Sequence, residues 1–180
     1  RGVRVYVTCN VYLRPEELER AVALGCWACR AGADALIVAD AGLVRALRRA
    51  MPGVEIHLST QTGVMSRAGV ALVRRELGVE RVTVARELSV PEVEAACAEG
   101  TPIEVFCHGA ICICYSGACA HSALRRARSA NRGDCTQPCR FSYDLLDGQG
   151  GSVNAREGDR LLCPRDYCSI EHLDELVRAG

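Results

Sequence analysis

Gly2 to Asp40 read GVRVYVTCNVYLRPEELERAVALGCWACRAGADALIVAD, an apolar, β-branched run at Val3 to Thr8, a helical pattern at Pro15 to Arg30 and a second apolar run at Ala35 to Ala39. Two buried strands joined by a helix form a βαβ unit, with parallel strands and a right-handed crossover. The alternation continues. Strands are predicted at Val54 to Leu58, Val79 to Ala85 and Ile103 to Phe106. Helices are predicted at Leu43 to Ala50, Ser66 to Leu77 and Val90 to Ala98, the last with Ser89 as N-cap and Pro91 in its first turn. The expected class is α/β, with residues 1–108 supplying parallel β/α units.

Polar residues sit where each apolar run stops: Asn10, Asp40, Ser59-Thr60-Gln61, Arg86-Glu87 and His108. In a (β/α) barrel these carboxyl ends form the face that holds the active site. A doubly wound open sheet also gathers ligands at strand carboxyl ends, so this feature leaves both architectures open.

Composition narrows the function. The 180 residues, 49% hydrophobic and 24% charged, suit a soluble globular chain of one domain. The 22 basic and 22 acidic residues cancel, so only a local patch would recruit nucleic acid or a membrane. Every basic residue is Arg, and a chain without Lys has neither a Schiff-base lysine nor a phosphate-loop lysine. Imine aldolase chemistry and Walker-type nucleotide hydrolysis are thereby excluded. No secretion signal is visible and no apolar run approaches the ~18 residues of a membrane span. A cytoplasmic chain with reduced thiols is expected, and metal is the leading use for some of its 12 Cys.

From Gly109 the periodicity stops. Cys112, Cys114, Cys119, Cys135 and Cys139 follow Cys107 closely, a short helix is predicted at Ser122 to Ser129, and Asn131 to Asp134 is turn chemistry. Phe141 to Leu146 has the pattern of a further strand, Asp147 to Gly158 that of an exposed loop, and Leu161 to Cys168 leads into a helix from Ser169. Residues 109–180 are read as a Cys-rich segment and one more β/α unit. Tight pairs of the structural-zinc kind occur at Cys135/Cys139 and Cys26/Cys29. The latter have a redox dithiol's spacing, but no strand leads directly into them. Buried, apolar roles suit Cys26, Cys29, Cys9, Cys97, Cys107, Cys114 and Cys163.

The run Glu104-Val-Phe-Cys-His-Gly-Ala-Ile-Cys112, continued by Tyr115-Ser-Gly-Ala-Cys119 and Asn131-Arg-Gly-Asp-Cys135-Thr-Gln-Pro-Cys139-Arg140, closely resembles the signature of the U32 family. The similarity extends through Val5 to Asn10, Ser59-Thr-Gln61, Arg86-Glu-Leu-Ser89 and Cys163-Pro-Arg-Asp-Tyr-Cys168. Members were first labelled collagenase-like proteases. Better understood relatives resemble oxygen-independent or prephenate-dependent hydroxylases of tRNA, ribosomal RNA or the ubiquinone ring. The resemblance implies a TIM-like barrel and a 4Fe–4S cluster on Cys112, Cys119, Cys135 and Cys168, with Cys139 the nearest competitor. Soft thiolates from separate segments serve such a cluster if a rigid scaffold aims them together. Prephenate as oxygen donor is implied by the resemblance alone. About five or six strands are readable where a closed barrel takes eight and ~250 residues, so an open portion is expected, beginning at Arg1 and ending at Gly180.

Among polar residues, His108 is a candidate proton donor or a partner to the cluster. Glu87 is a candidate acid/base and Arg86 an anion clamp for a small carboxylate substrate. Gln61 is a strand-end substrate contact. Asn131 and Arg132 are placed either on the substrate or in holding the cluster loop. His121 and His172 fall on predicted helices and are assigned to surfaces. Ala120 to Tyr143 carries Arg125, Arg126, Arg128, Arg132 and Arg140 against Asp134, a phosphate-facing patch for tRNA or rRNA centred on Arg125, Arg126 and Arg128, without evident aromatic interleaving. Three functions compete: a cluster-dependent hydroxylase of an RNA base or quinone ring, a peptidase, and a non-catalytic partner subunit of a hydroxylase. The peptidase lacks a G-x-S-x-G elbow and an H-E-x-x-H helix.

Overall fold

The structure is a computed structural model that describes residues 2–154 and 159–180. Its main sheet has five parallel strands in sequential order: β1 (Tyr6–Cys9), β2 (Ala35–Val38), β3 (Ile56–Leu58), β4 (Arg81–Thr83) and β5 (Ile103–Glu104). They alternate with helices α1 (Leu18–Arg30), α2 (Ala41–Ala50), α3 (Arg67–Leu77) and α4 (Val90–Cys97). The order never reverses, so the sheet is not doubly wound, a fold whose crevice lies where the order turns back. Neither does it close: β1 and β5 are its two edges among the described residues.

Same-handed crossovers put every helix on one face. Consecutive helices touch, α1 against α2, α2 against α3, and α3 against α4. Alternation along the strands turns Leu36, Val38, Ile56, Leu58, Val82 and Val84 toward them, and these join Leu43, Val44 and Leu47 of α2 in the buried core. Gly25 of α1 lies where a Cβ would stand 2.8 Å from Leu47 and 3.1 Å from Leu36, so its bare backbone permits the close α1–α2 contact. The other face is polar. There the Tyr6 and His57 rings meet edge to face at 4.7 Å, and His57 Nε2 lies 2.8 Å from Glu55.

Local signals start and stop the helices. Asp40 caps α2 by accepting from Leu43 N at 2.9 Å, and Ser66 caps α3 by accepting from Gly69 N at 3.1 Å. A capping box of Ser89 and Glu92 starts α4. Gly78, with φ of 62°, ends α3 in the left-handed region that favours glycine.

After β5 the chain leaves the sheet. The expected strand to Phe106 ends at Glu104, and β6 (His108–Ala110) instead pairs antiparallel with β7 (Asp166–Cys168) in a separate ribbon. Ser169 secures it by donating from N and Oγ to Cys107 O at 2.9 and 2.8 Å. Two short helices belong to this part of the chain, α5 (His121–Arg126) after Cys119 and α6 (Leu173–Arg178) after Cys168. Phe141 to Leu146 is not a strand; among the described residues its ladder pairing is an isolated bridge between Leu146 and Ser152. The loop expected from Asp147 is exposed through Val153, and residues 155–158 lie outside the described residues. Among the described residues no helix is long and apolar enough to cross a membrane.

Candidate functional site

The site forms where the Cys-rich segment folds back over the carboxyl ends of β3 and β4. After β3, Ser59 caps a short turn, Thr60–Thr62, closed by Gly63 at φ of 66°. This turn presents Gln61, whose backbone carbonyl accepts from the Tyr12 hydroxyl at 2.5 Å. After β4, Arg86 lays its guanidinium 4.4 Å from the Phe106 ring centre, with Nη1 3.9 Å from Cys112 Sγ and 3.5 Å from Ser116 Oγ. Ser116 is buried, and its N–H donates to Glu87 Oε1 at 2.9 Å. Next to it Gly117, at φ of 76°, comes so near the sheet that a Cβ would lie 1.8 Å from Gln61 O. The loop carrying Cys112 and Cys119 is thus pinned to two strand ends at once.

The second wall comes from α5 and the turns after it. Buried Ser122 shares a 3.0 Å hydrogen bond with Thr136 Oγ1 and accepts another from Thr136 N at 3.0 Å, which closes the 122–136 loop on itself. Arg132 ties that loop to the front of α1: its guanidinium donates to Glu17 at 2.6 and 2.9 Å and to Tyr12 O at 2.8 Å. This pairing pulls the Glu17 carboxyl down to about 2 from 4.5, chiefly through the Arg132 hydrogen bond. Asn131 adds a backbone link, its carbonyl accepting from Tyr12 N at 3.0 Å.

Between the walls lies a cavity of about 280 Å³. Cys112, Cys119, Cys135 and Cys139 line it, together with Gln61, Arg86, His121 and Asn131. Burial pushes the Cys139 thiol up, with Cys135 beside it adding to the effect. Burial also raises Cys114, helped by its hydrogen bond with Cys119. Two buried polar atoms on cavity residues, Gln61 Oε1 and Arg86 Nε, have no hydrogen-bond partner among the described residues. Such atoms are costly unless something satisfies them, and both belong to side chains of the cavity wall.

The expected site residues therefore divide. Cys112, Cys119, Cys135, Gln61, Arg86 and Asn131 meet at the cavity. Cys168 does not: it is exposed on β7, opposite His108, and neither lines the cavity. Glu87 lies outside the lining and grips Ser116, while Arg132 is a strap to α1. Among the described residues no group of three or more His, Cys, Asp or Glu stands ready to hold a single metal ion. Cys26 and Cys29 lie on α1 and line none of it. Of the strand-end polar residues, Asp40 and Ser59 serve as caps.

His121, expected on a surface, stands on the cavity wall at the start of α5, two residues after Cys119. That closeness to a candidate ligand was its one signal. Ser116 and Tyr12 had none, because their roles rest on contacts between distant segments. The Arg patch is also sorted by structure: Arg128 is held by Asp134, Arg132 by Glu17 and Arg140 by Asp166.

Comparison with known proteins bears on all of this. The model of peptidase family U32 matches residues 1–180. The 23S rRNA 5-hydroxycytidine synthase of Escherichia coli is 38% identical over 180 residues, covering 99% of this chain and 27% of its own. The tRNA hydroxylation protein P1 of Bacillus subtilis is 36% identical over 188 residues, 99% of this chain and 43% of its own. A collagenase of Porphyromonas gingivalis is 30% identical over 191 residues, 100% of this chain and 45% of its own. The chain thus spans less than half the length of these relatives.

Proposed function

The chain belongs to peptidase family U32, and from that premise we propose that it is the cluster-bearing part of an enzyme that hydroxylates a base of tRNA or rRNA without O2. The observation that carries this reading is a cavity at strand carboxyl ends that gathers Cys112, Cys119, Cys135 and Cys139 beside Gln61, Arg86 and Asn131. The names of the relatives at 38% and 36% identity support the substrate class. The sequential parallel sheet is proposed to be a portion of a TIM-like barrel.

The donor chemistry fits an iron–sulfur cluster, because thiols from separate segments share one chamber and thiolates are its usual ligands. Cys112, Cys119 and Cys135 would hold it, with Cys168 as the fourth ligand implied by the family pattern and Cys139 as the competitor on the wall. When bound, the cluster supplies one-electron transfer beside the substrate. The Arg86 and Gln61 side chains on the cavity wall would hold a small co-substrate, and a carboxylate such as that of prephenate suits Arg86. Asn131 completes that polar wall. His121 is the imidazole on the cavity wall among the described residues and is proposed to move the proton. Glu87 and Arg132 keep the two walls in place, while His108 sits on the ribbon with Cys168.

A peptidase would need an activated nucleophile. The buried hydroxyl beside the cavity, Ser116, has Glu87 and Arg86 as partners and no His. The test is anaerobic incubation of the intact protein with an RNA pool and prephenate, then mass spectrometry of the nucleosides. A nucleoside gaining one oxygen, lost in Cys112→Ser, is the expected result. Peptide hydrolysis that survives loss of all four Cys, with no hydroxylated nucleoside, would overturn the reading.

A further inference from the structure

Beside the cavity mouth the structure pairs arginines with aromatic rings. The Arg125 guanidinium stands 5.3 Å from the Tyr143 ring centre, and that of Arg126 stands 5.4 Å from the Phe141 ring centre. Phe141 and Tyr143 are alternate residues of one segment, and Arg125 and Arg126 adjoin at the end of α5. Tyr143 is fixed, because its hydroxyl donates to Pro138 O at 2.7 Å. Its ring lies 6.0 Å from that of His121, which also lines the cavity. Both guanidinium groups are exposed, and Phe141 is 39% exposed. With Arg128, Arg132 and Arg140 in ion pairs, Arg125 and Arg126 are the two cations of this segment left without a carboxylate partner among the described residues.

We propose that these two Arg–aromatic pairs form a stacking platform for unpaired nucleotides flanking the target base of a single-stranded RNA segment. The inference rests on the RNA-hydroxylase reading and adds the mode of recognition to it. Bases stack on aromatic rings and on the planes of arginine guanidinium groups, and only unpaired bases expose the faces this requires. A guanidinium already held over a ring by cation–π attraction keeps a plane for a base and its N–H edges for phosphate. Two adjacent cations make a poor track for duplex phosphates, which need charges spread along a groove. An acidic peptide would use the charges and leave the aromatic planes idle. Through His121 the platform is continuous with the cavity wall, so a base next to those stacked would meet the chamber.

The experiment measures binding of a fluorescent single-stranded RNA oligonucleotide, and of the same strand in a duplex, to the intact protein. Arg125→Lys and Arg126→Lys keep the charge but remove the plane; iron content and thermal unfolding report that each variant is folded. Each should weaken single-strand binding by about tenfold without changing the salt slope, and duplex should bind more weakly than single strand. Phe141→Leu should weaken it likewise. Lysine variants that bind like the unaltered protein, or equal affinity for duplex, would overturn the platform. If those variants hydroxylate RNA with an unchanged KM, the platform fails while the enzymatic reading stands. If the unaltered protein hydroxylates no RNA, the enzymatic reading fails first.

Discussion

Replacing Gly117 with alanine would drive a methyl group into the carbonyl of Gln61. The added Cβ would stand 1.8 Å from that oxygen, where ordinary contact begins at 3.4 Å, so the two backbones must part by about 1.6 Å. Alanine also bears a cost of about 1–2 kcal/mol at a φ of 76°. A contact of 1.8 Å cannot be kept, and overpacking is relieved by backbone shifts that cost about 1–3 kcal/mol, so the loop lifts. Lifting removes the 2.9 Å bond from Ser116 N–H to Glu87, and a hydrogen bond to a charged group contributes about 1.5–3 kcal/mol. Hydrogen exchange at the Ser116 amide should then speed up by about ten- to a hundredfold, since each 1.4 kcal/mol is about a factor of ten. Protection in α1 to α3 should be unchanged. Native protection of the Ser116 amide in Gly117→Ala would refute the idea that this close approach seats the loop.

Two further substitutions test the supports of the site. Glu17 has its carboxyl held down to about 2 against an ordinary 4.5 by Arg132, so the pairing stabilises the fold fully above about pH 4.5 and loses that effect as pH falls through about 2. The stability gap between the unaltered chain and Glu17→Gln should therefore be constant above pH 5 and shrink toward pH 2 in denaturant titrations; a gap independent of pH would show that the pair contributes nothing through charge. Asp40→Ala should cost about 1 kcal/mol through loss of the 2.9 Å cap on α2, read as a lower denaturant midpoint at constant slope, with iron binding retained. Loss of iron in that variant would mean that Asp40 serves the site after all.

The β/α alternation was legible because each element carries its own period and caps. Val3 to Thr8 became β1, shorter at its start and one residue longer at its end, Ala35 to Ala39 and Val54 to Leu58 became β2 and β3 with trimmed ends, and the helices expected from Ser66 and after the Ser89 cap begin there. What was illegible is non-local. His108 looked like the end of a strand of the main sheet, yet it pairs with Cys168 of β7, and the hydrogen bond that secures this ribbon joins Cys107 and Ser169, 62 positions apart. Phe141 to Leu146 has strand composition, but its aromatic rings lie against Arg125 and Arg126 of α5, contacts that local periodicity does not encode. The aromatic partners of the Arg patch were hidden for the same reason. Of the residues singled out in the sequence, Cys112, Cys119, Cys135, Gln61 and Arg86 come together on the cavity wall, whereas Cys168 lies apart on β7. The grip of Glu87 on Ser116 and that of Arg132 on Glu17 came only with tertiary structure.

Iron and sulfide analysis of the intact protein, purified anaerobically with single cysteines replaced by serine, is the most direct test that dispersed thiols hold one cluster at the carboxyl ends of a parallel sheet. The expected result is about four iron and four sulfide per chain, lost in Cys112→Ser, Cys119→Ser, Cys135→Ser and Cys168→Ser and kept in Cys26→Ser and Cys29→Ser. Iron kept by Cys168→Ser but lost from Cys139→Ser would contradict the fourth ligand, and iron indifferent to all four substitutions would contradict the site itself.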